Sequence, residues 1–298
     1  MKEIIHQPVL LQEVIKHLDF KPGDRIIDAT FGAGGHALAM LEKIKPGGKI
    51  LGIEIDNDFF EKSRERFSGA KEIVLVNGNY TDLTEIAAKN DFLEADGILF
   101  DLGLSSWHLE HGERGFTFMK DEPLDMRFSK AMPDSIPARE IINMWPPEEI
   151  EKVLREYGEE KFAKSIAKKI IEARKQKSIL NTFQLIEIIK EALPLWARRG
   201  RVHFATKTFQ ALRIAVNHEL ENIEIGLKQI PGVLKKGGRA AVISFHSLED
   251  RIVKNTFRGL KEKRVAEILT KKPIRPSFEE KSQNPRSRSA KLRVLEAI

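Results

Sequence analysis

The stretch Asp28-Ala-Thr-Phe-Gly32-Ala-Gly34-Gly35-His36-Ala37 lies between a short apolar run, Arg25-Ile-Ile27, and the helix-like Ala37-Leu-Ala-Met-Leu41. Strand, glycine turn and helix in that order make the first unit of a nucleotide-binding α/β domain. Such a turn uses glycines because its backbone takes dihedrals closed to other residues and comes close to a ligand. Gly32-x-Gly34-x-x-Ala37 satisfies a relaxed dinucleotide fingerprint, whereas an acid before the glycines, Asp28, suits S-adenosylmethionine. A βα turn of purely structural purpose has the same appearance, so the motif fixes a place in the fold before it fixes a ligand.

Working outward, apolar β-type runs recur at Arg25–Ala29, Lys49–Ile55, Glu72–Val76 and Ala95–Asp101, with helical patterns at Asn57–Phe67 and Leu83–Lys89 between them. That alternation predicts parallel strands joined by right-handed crossovers. It stops near Ser106. From there to Thr206 the pattern predicts helices over Pro147–Tyr157, Glu159–Lys175 and Thr182–Leu193, punctuated by Pro133, Pro137, Pro146 and Pro147. The α/β pattern then resumes with the apolar stripe Phe209, Leu212, Val216 and Leu220, the turn Lys235-Lys-Gly-Gly238, a fifth strand over Arg239–Phe245 and a last run, Leu292–Leu295, that could close the sheet edge. The expected fold class is α/β. Residues 1–105 plus 207–298 form one discontinuous domain in this reading, and 106–206 an inserted all-helical subdomain.

Of the 298 residues 41% are hydrophobic, enough for a substantial core. No apolar run approaches the ~20 residues of a membrane span, and Met1-Lys-Glu-Ile-Ile-His6 lacks the apolar centre of a secretory signal, so a soluble cytoplasmic protein is expected. Cysteine is absent, which removes disulfides, thiolate metal sites and cysteine nucleophiles together. The eight histidines show no HExxH or comparable spacing, so no metal is expected. The net charge of +6 is unevenly spread: from Arg251 onward there are 14 Lys/Arg against 5 Asp/Glu. A second basic cluster is Arg198-Arg-Gly-Arg201. Charge concentrated in this way suits a phosphate backbone, and RNA binding that weakens as salt rises is the expectation. A solvated helix face is the bland alternative for each cluster. Monomer and homodimer both stay open.

In open α/β sheets ligands bind beyond the carboxyl ends of the strands. Those ends deliver Asp28; Glu54, which lies 22 residues after Gly32, the spacing of an acid on ribose hydroxyls; Asn77-Gly-Asn-Tyr80; and Asp101-Leu-Gly-Leu-Ser105-Ser106-Trp107. Tyr80 could cover an adenine ring or merely edge the core. An acid, a turn and an aromatic after the fourth strand suit methylation of a nucleobase amine. Acceptors on its N–H bonds favour a pyramidal, nucleophilic nitrogen, and an aromatic can stack on the extruded base. His246, at the end of the fifth strand, shares that rim and is a candidate proton acceptor.

Several segments in order then match one family. His6-Gln-Pro-Val-Leu-Leu11, Asp28–His36, Asp101–Ser106, Arg114-Gly-Phe-Thr-Phe118 with Pro123-Leu-Asp-Met-Arg127, Phe209–Glu219, Ser244–Arg251 and Asn284–Ser289 give a chain that resembles the bacterial small-subunit ribosomal RNA (cytosine-N4) methyltransferase H family. The resemblance implies a Rossmann-like S-adenosylmethionine-dependent methyltransferase sheet with a helical insertion that recognises RNA. It also implies 16S ribosomal RNA or the small ribosomal subunit as partner, with a cytosine N4 near the decoding centre as the methyl acceptor. Carried over by motif, cofactor contacts fall on Ala33, Gly34, Gly35, His36, Glu54, Tyr80, Asp101 and His108. Catalytic roles fall on Asp101, Ser105, Ser106 and His246. Glu54 stands where an aspartate is common and His108 where a glutamine is common. Independently of the resemblance, methylation at cytosine C5 typically uses a cysteine, and this chain has none, which favours an exocyclic amine. Two other readings remain at this level: a dinucleotide-dependent oxidoreductase, and a non-catalytic RNA-binding or ribosome-assembly protein.

Overall fold

The computed structural model describes residues 8–111, 113–130, 135–200 and 202–298, with Ser106 and His111 described by backbone alone. The chain divides into two compact units, Met1–Gly103 with Leu220–Ile298, and Leu104–Glu219.

The first unit is built on seven strands: β1 (Arg25–Asp28), β2 (Lys49–Glu54), β3 (Ile73–Asn77), β4 (Ala95–Asp101), β5 (Leu234–Ser244), β6 (Ala266–Ile268) and β7 (Lys291–Ala297). Their order across the sheet is β3-β2-β1-β4-β5-β7-β6. β1 to β5 pair in parallel, and β7 pairs antiparallel with both β5 and β6. An antiparallel β7 set between β5 and β6 departs from the 3-2-1-4-5-6 order of dinucleotide folds. The last run of the chain was expected to close the sheet edge. It lies one strand inside it, because the three-residue β6 pairs on its outer side.

Period-two alternation sends neighbouring residues to opposite faces. Ile27, Ile98, Phe100, Ala240 and Val242 face one layer of core, made with α4 (Leu83–Lys89), α11 (Glu219–Lys228), α12 (Ile230–Val233) and α13 (Ser247–Glu262). Ile26, Leu99, Ala241, Ile243 and Val294 face the other, made with α1 (Leu11–Leu18) and α2 (Gly35–Ile44), while α3 (Asn57–Arg66) packs against β2 and β3. A sheet covered on both faces explains why its strands read as apolar runs rather than alternations. Arg293 breaks the pattern of β7, being buried, and is answered from α13 by Asp250, whose Oδ1 accepts from Arg293 Nε at 2.7 Å and Oδ2 from Lys291 Nζ at 3.0 Å. Burial pushes the Asp250 carboxyl up, but these two cations overcome it and hold it below the usual range. Part of the basic C-terminal region is therefore internal structure rather than a binding surface.

The second unit is helical: α5 (Ser106–His111), α6 (Ala138–Met144), α7 (Pro147–Glu156), α8 (Ala163–Arg174), α9 (Thr182–Ala192) and α10 (Thr206–Asn217). Its core joins Ile141, Ile150, Leu154, Ile166, Leu185 and Ile189 with Phe209, Leu212 and Val216 of α10. The stripe on α10, expected to resume the α/β domain at residue 207, thus serves the helical core. This unit accordingly begins at Leu104 and runs to Glu219, not from 106 to 206.

Candidate active site

The carboxyl ends of β1, β2 and β4 gather the acids of the first unit. Asp28 is buried and accepts from Thr30 N through Oδ1 at 3.3 Å, while Thr30 Oγ1 accepts from Asp101 N at 2.6 Å, tying the two strand ends together. Glu54 is also buried. Its Oε2 accepts from Gly32 N and its Oε1 from Asp56 N, both at 2.9 Å. Each of these oxygens keeps a second lone pair. Burial lifts the Asp28 carboxyl to about 7 against the opposing Thr30 N–H bond. Burial likewise lifts Glu54 to about 7, with the charge of Asp56 adding to it and the two backbone N–H bonds resisting.

Asp101 ends β4. Its Oδ1 is buried and has no hydrogen-bond partner, and its Oδ2 lies 3.5 Å from His36 Nδ1. Burial, then the negative charges of Asp28 and Glu249, push this carboxyl well above the usual range. His36, in the first turn of α2, has its Nε2 3.0 Å from the Val9 carbonyl oxygen. A carbonyl oxygen only accepts, so Nε2 carries the hydrogen and Nδ1 is the atom turned to Asp101.

The glycine turn is held from below. Gly34 has φ +74°, and a Cβ there would meet the Phe67 ring at 2.5 Å and the Phe31 ring at 2.9 Å. Ser63 Oγ donates to Gly32 O at 2.9 Å and Arg66 Nη1 to Ala33 O at 3.0 Å. The turn then enters α2 at Gly35, and the first-turn N–H groups of a helix have no acceptor within it. Tyr80 opens a short 3-10 helix, with its ring half-buried and edge-on to Phe100 at 5.6 Å. Gly226 of α11 packs so close that a Cβ there would lie 2.7 Å from that ring. Tyr80 is thus a core edge on one side. Asn79 accepts from Thr81 N, which is turn chemistry.

A burial-supported cluster of carboxylates with one orphaned oxygen calls for a cationic ligand, since a positive charge alongside would relieve all of them. An anionic pyrophosphate would add to the repulsion. The comparison with known proteins agrees with that sign. The sequence profile of the MraW methylase family matches residues 3–298. The chain belongs to the MraW methylase family. It is an S-adenosylmethionine-dependent methyltransferase. Among its relatives is the ribosomal RNA small subunit methyltransferase H of Persephonella marina, 47% identical over 98% of this chain and 99% of that protein. The proteins of the same description from Dictyoglomus thermophilum and Pseudothermotoga lettingae are 46% and 42% identical, each over 99% of this chain and over 97% and 99% of their own lengths.

The residues of the methylase fit its cofactor. Its sulfonium is cationic, which suits the orphaned Asp101 Oδ1, and a ribose can reach the spare lone pairs of Glu54. The first turn of α2, with Gly35 and His36, offers donors to a carboxylate. His246 is the N-cap of α13, with Nδ1 accepting from Glu249 N at 3.4 Å and Nε2 3.0 Å from Glu249 Oε1. Both ring nitrogens therefore face Glu249, Nδ1 its backbone N–H and Nε2 its carboxylate. Glu249 itself is fully buried and accepts through Oε2 from Phe245 N and His246 N. Its place three residues after a cap is a sequence signature of a capping box, the one signal that could have picked it out.

Ser105 and His108 belong to the second unit, where Ser105 Oγ is hydrogen-bonded to His108 Nδ1 at 2.9 Å. The His108 ring is buried, 5.2 Å from Phe116 and 5.1 Å from Phe128. The side chain of Ser106 lies outside the described residues, as do His6, Gln7 and Arg201 of the expected motifs. The Arg114–Phe118 and Pro123–Arg127 motifs are bound to one another. Arg114 Nη1 donates to the Arg127 and Phe128 carbonyls, Gly115 N donates to Glu122 Oε2, and Arg127 grips Asp125 at 2.7 and 2.8 Å. Asn217 of α10 accepts from Phe128 N and donates to Met126 O, pinning the loop to the helical core.

The raised carboxyls have a consequence for stability. A folded state that holds protons on Glu54 up to about 7 binds more protons than the unfolded chain between the ordinary carboxylate range and neutrality. The stability from this group is fully present below that window and is lost as pH rises through it, at up to about 1.4 kcal/mol per pH unit. Glu54→Gln is therefore expected to flatten the fall of the cofactor-free melting temperature between pH 4.5 and 7.5. Parallel pH profiles for the two proteins would show that Glu54 does not titrate there.

Proposed function

We propose that this chain methylates the exocyclic N4 of a cytosine in small-subunit ribosomal RNA near the decoding centre, in the cytoplasm. The relatives named for ribosomal RNA small subunit methylation support the RNA, the missing cysteine favours the amine over C5, and the orphaned, buried Asp101 Oδ1 carries the chemistry. When bound, S-adenosylmethionine supplies a methyl group on a positive sulfur. Asp101 Oδ1 accepts an N4–H bond of the cytosine, which turns the nitrogen lone pair out of conjugation and toward the methyl carbon. With the cofactor bound, the amine would become cationic as it takes the methyl group from the sulfur, and the Asp101 carboxylate would stabilise that charge. One amine proton then leaves through Asp101, with His36 Nδ1 behind it as the next acceptor.

His246, held by Glu249, positions the β5–α13 turn in this reading and is not the proton acceptor. The helical unit recognises RNA. Trp196 of its short Leu195–Arg198 3-10 helix is 73% exposed beside the exposed Arg199, whereas the Arg198 guanidinium is tied to the Leu193 carbonyl. The test is transfer of a labelled methyl group to small subunits that lack the modification, followed by nucleoside analysis. N4-methylcytidine is the expected product. Label in C5-methylcytidine, or unlabelled RNA with cofactor bound, would overturn the proposal.

A further inference from the structure

The segment between β6 and β7 carries a surface that methyl transfer does not use. From Lys271 to Arg288 it holds six basic residues against two acids. Lys271, Lys272, Arg275 and Arg288 are exposed and make no ion pair among the described residues. One of the two acids, Glu280, is engaged internally. Its Oε1 accepts from Leu10 N at 2.8 Å. In the midst of these cations Phe278, the first residue of α14 (Phe278–Gln283), is 90% exposed. It is the one large apolar side chain of the Lys271–Arg288 stretch left open to solvent among the described residues.

We propose that Phe278 and the cations around it form a platform on which an unpaired base of single-stranded RNA stacks, beside the site that receives the target cytosine. This rests on the proposed function and adds a surface and a nucleic-acid form to it. An aromatic ring offers a face to any base, and cations close to it hold the phosphates on either side. A protein partner would require a wider apolar patch than one ring on a segment rich in like charges. The platform is also tied to the chemistry. Glu280, two residues from Phe278, bonds Leu10 N, and the neighbouring Val9 carbonyl accepts from His36 Nε2 at 3.0 Å, whose Nδ1 faces Asp101. The segment that carries Phe278 is therefore joined to Asp101 through Leu10, Val9 and His36. A base extruded for methylation leaves its neighbours unstacked, and the platform takes up one of them.

The experiment uses the full chain with a fluorescein-labelled 20-nucleotide single-stranded RNA, the same sequence as a duplex, and anionic phosphatidylserine vesicles. Single strand should bind more tightly than duplex. Phe278→Ala should weaken the single strand about tenfold and leave the duplex unchanged, and Phe278→Trp should restore it. Lys271→Gln with Arg275→Gln should reduce the log–log salt slope by about 1.4. Because Phe278 is exposed, its removal should not shift the melting temperature. Single-strand binding untouched by Phe278→Ala, or a Phe278-dependent affinity for vesicles in place of RNA, overturns the platform. In the methyl-transfer assay Phe278→Ala should raise KM for RNA with kcat unchanged. A wild-type protein that shows the anisotropy pattern yet transfers no methyl group would leave the platform standing and refute the proposed function instead.

Discussion

Asparagine in place of Asp101 is expected to lower kcat for methyl transfer by about a hundredfold or more, the scale seen when one oriented charge-stabilising group is removed. Asparagine keeps the shape and an acceptor oxygen, so the loss isolates the negative charge. The same substitution removes a buried carboxylate that is pushed well up by burial and by the nearby Asp28 and Glu249. Thermal stability of the cofactor-free protein at pH 8 should therefore hold or rise. Activity falling while stability does not fall is the mark of a group retained for chemistry. A variant that loses both in proportion would make Asp101 a structural acid. A variant with an unchanged kcat and a raised KM for S-adenosylmethionine would make it a binding group alone.

Gly34→Ala carries the second large effect. The left-handed backbone at φ +74° costs a side chain about 1–2 kcal/mol. The new Cβ would lie 2.5 Å from the Phe67 ring, and overpacking a close core typically costs about 1–3 kcal/mol more. A loss of roughly 2–5 kcal/mol is expected in denaturant unfolding, with weaker S-adenosylmethionine binding by calorimetry because the turn has to shift. Phe67→Leu should recover part of the stability by opening space under the new methyl group. Its failure to do so would locate the cost in the backbone and at the Phe31 ring, 2.9 Å from the same Cβ. The glycine thus serves the packing beneath the turn as well as the ligand above it, and both readings of the motif hold at once.

Most of the sheet was legible because buried parallel strands leave continuous apolar runs, and β1 to β4 lie within a residue or two of their expected bounds. β6 was not. Ala266-Glu-Ile268 is too short for any period to register, and only pairing with β7 defines it. α10 was legible as an amphipathic helix, but an apolar stripe does not state which core it joins. Asp28, Glu54 and Asp101 were legible as strand-end acids because the carboxyl ends of the strands in an open α/β sheet follow from the apolar runs. The capping of α13 by His246 was hidden behind the same rule, since a cap and a catalytic base both sit where a strand gives way to a helix.

Charge shows the division most clearly. Chain order and residue type were enough for the family, for an acidic strand-end cluster without a thiol, and for a basic C-terminal stretch. A charge count carries no information about which cations are already matched. Only the folded sheet sets Lys291 and Arg293 on Asp250 and leaves Lys271, Arg275 and Phe278 facing solvent. Only folding, too, brings Val9, His36 and Asp101 into line. These are contacts between residues far apart in the chain, fixed by packing rather than by local pattern, and that enclosure is what raises the Asp101 carboxyl.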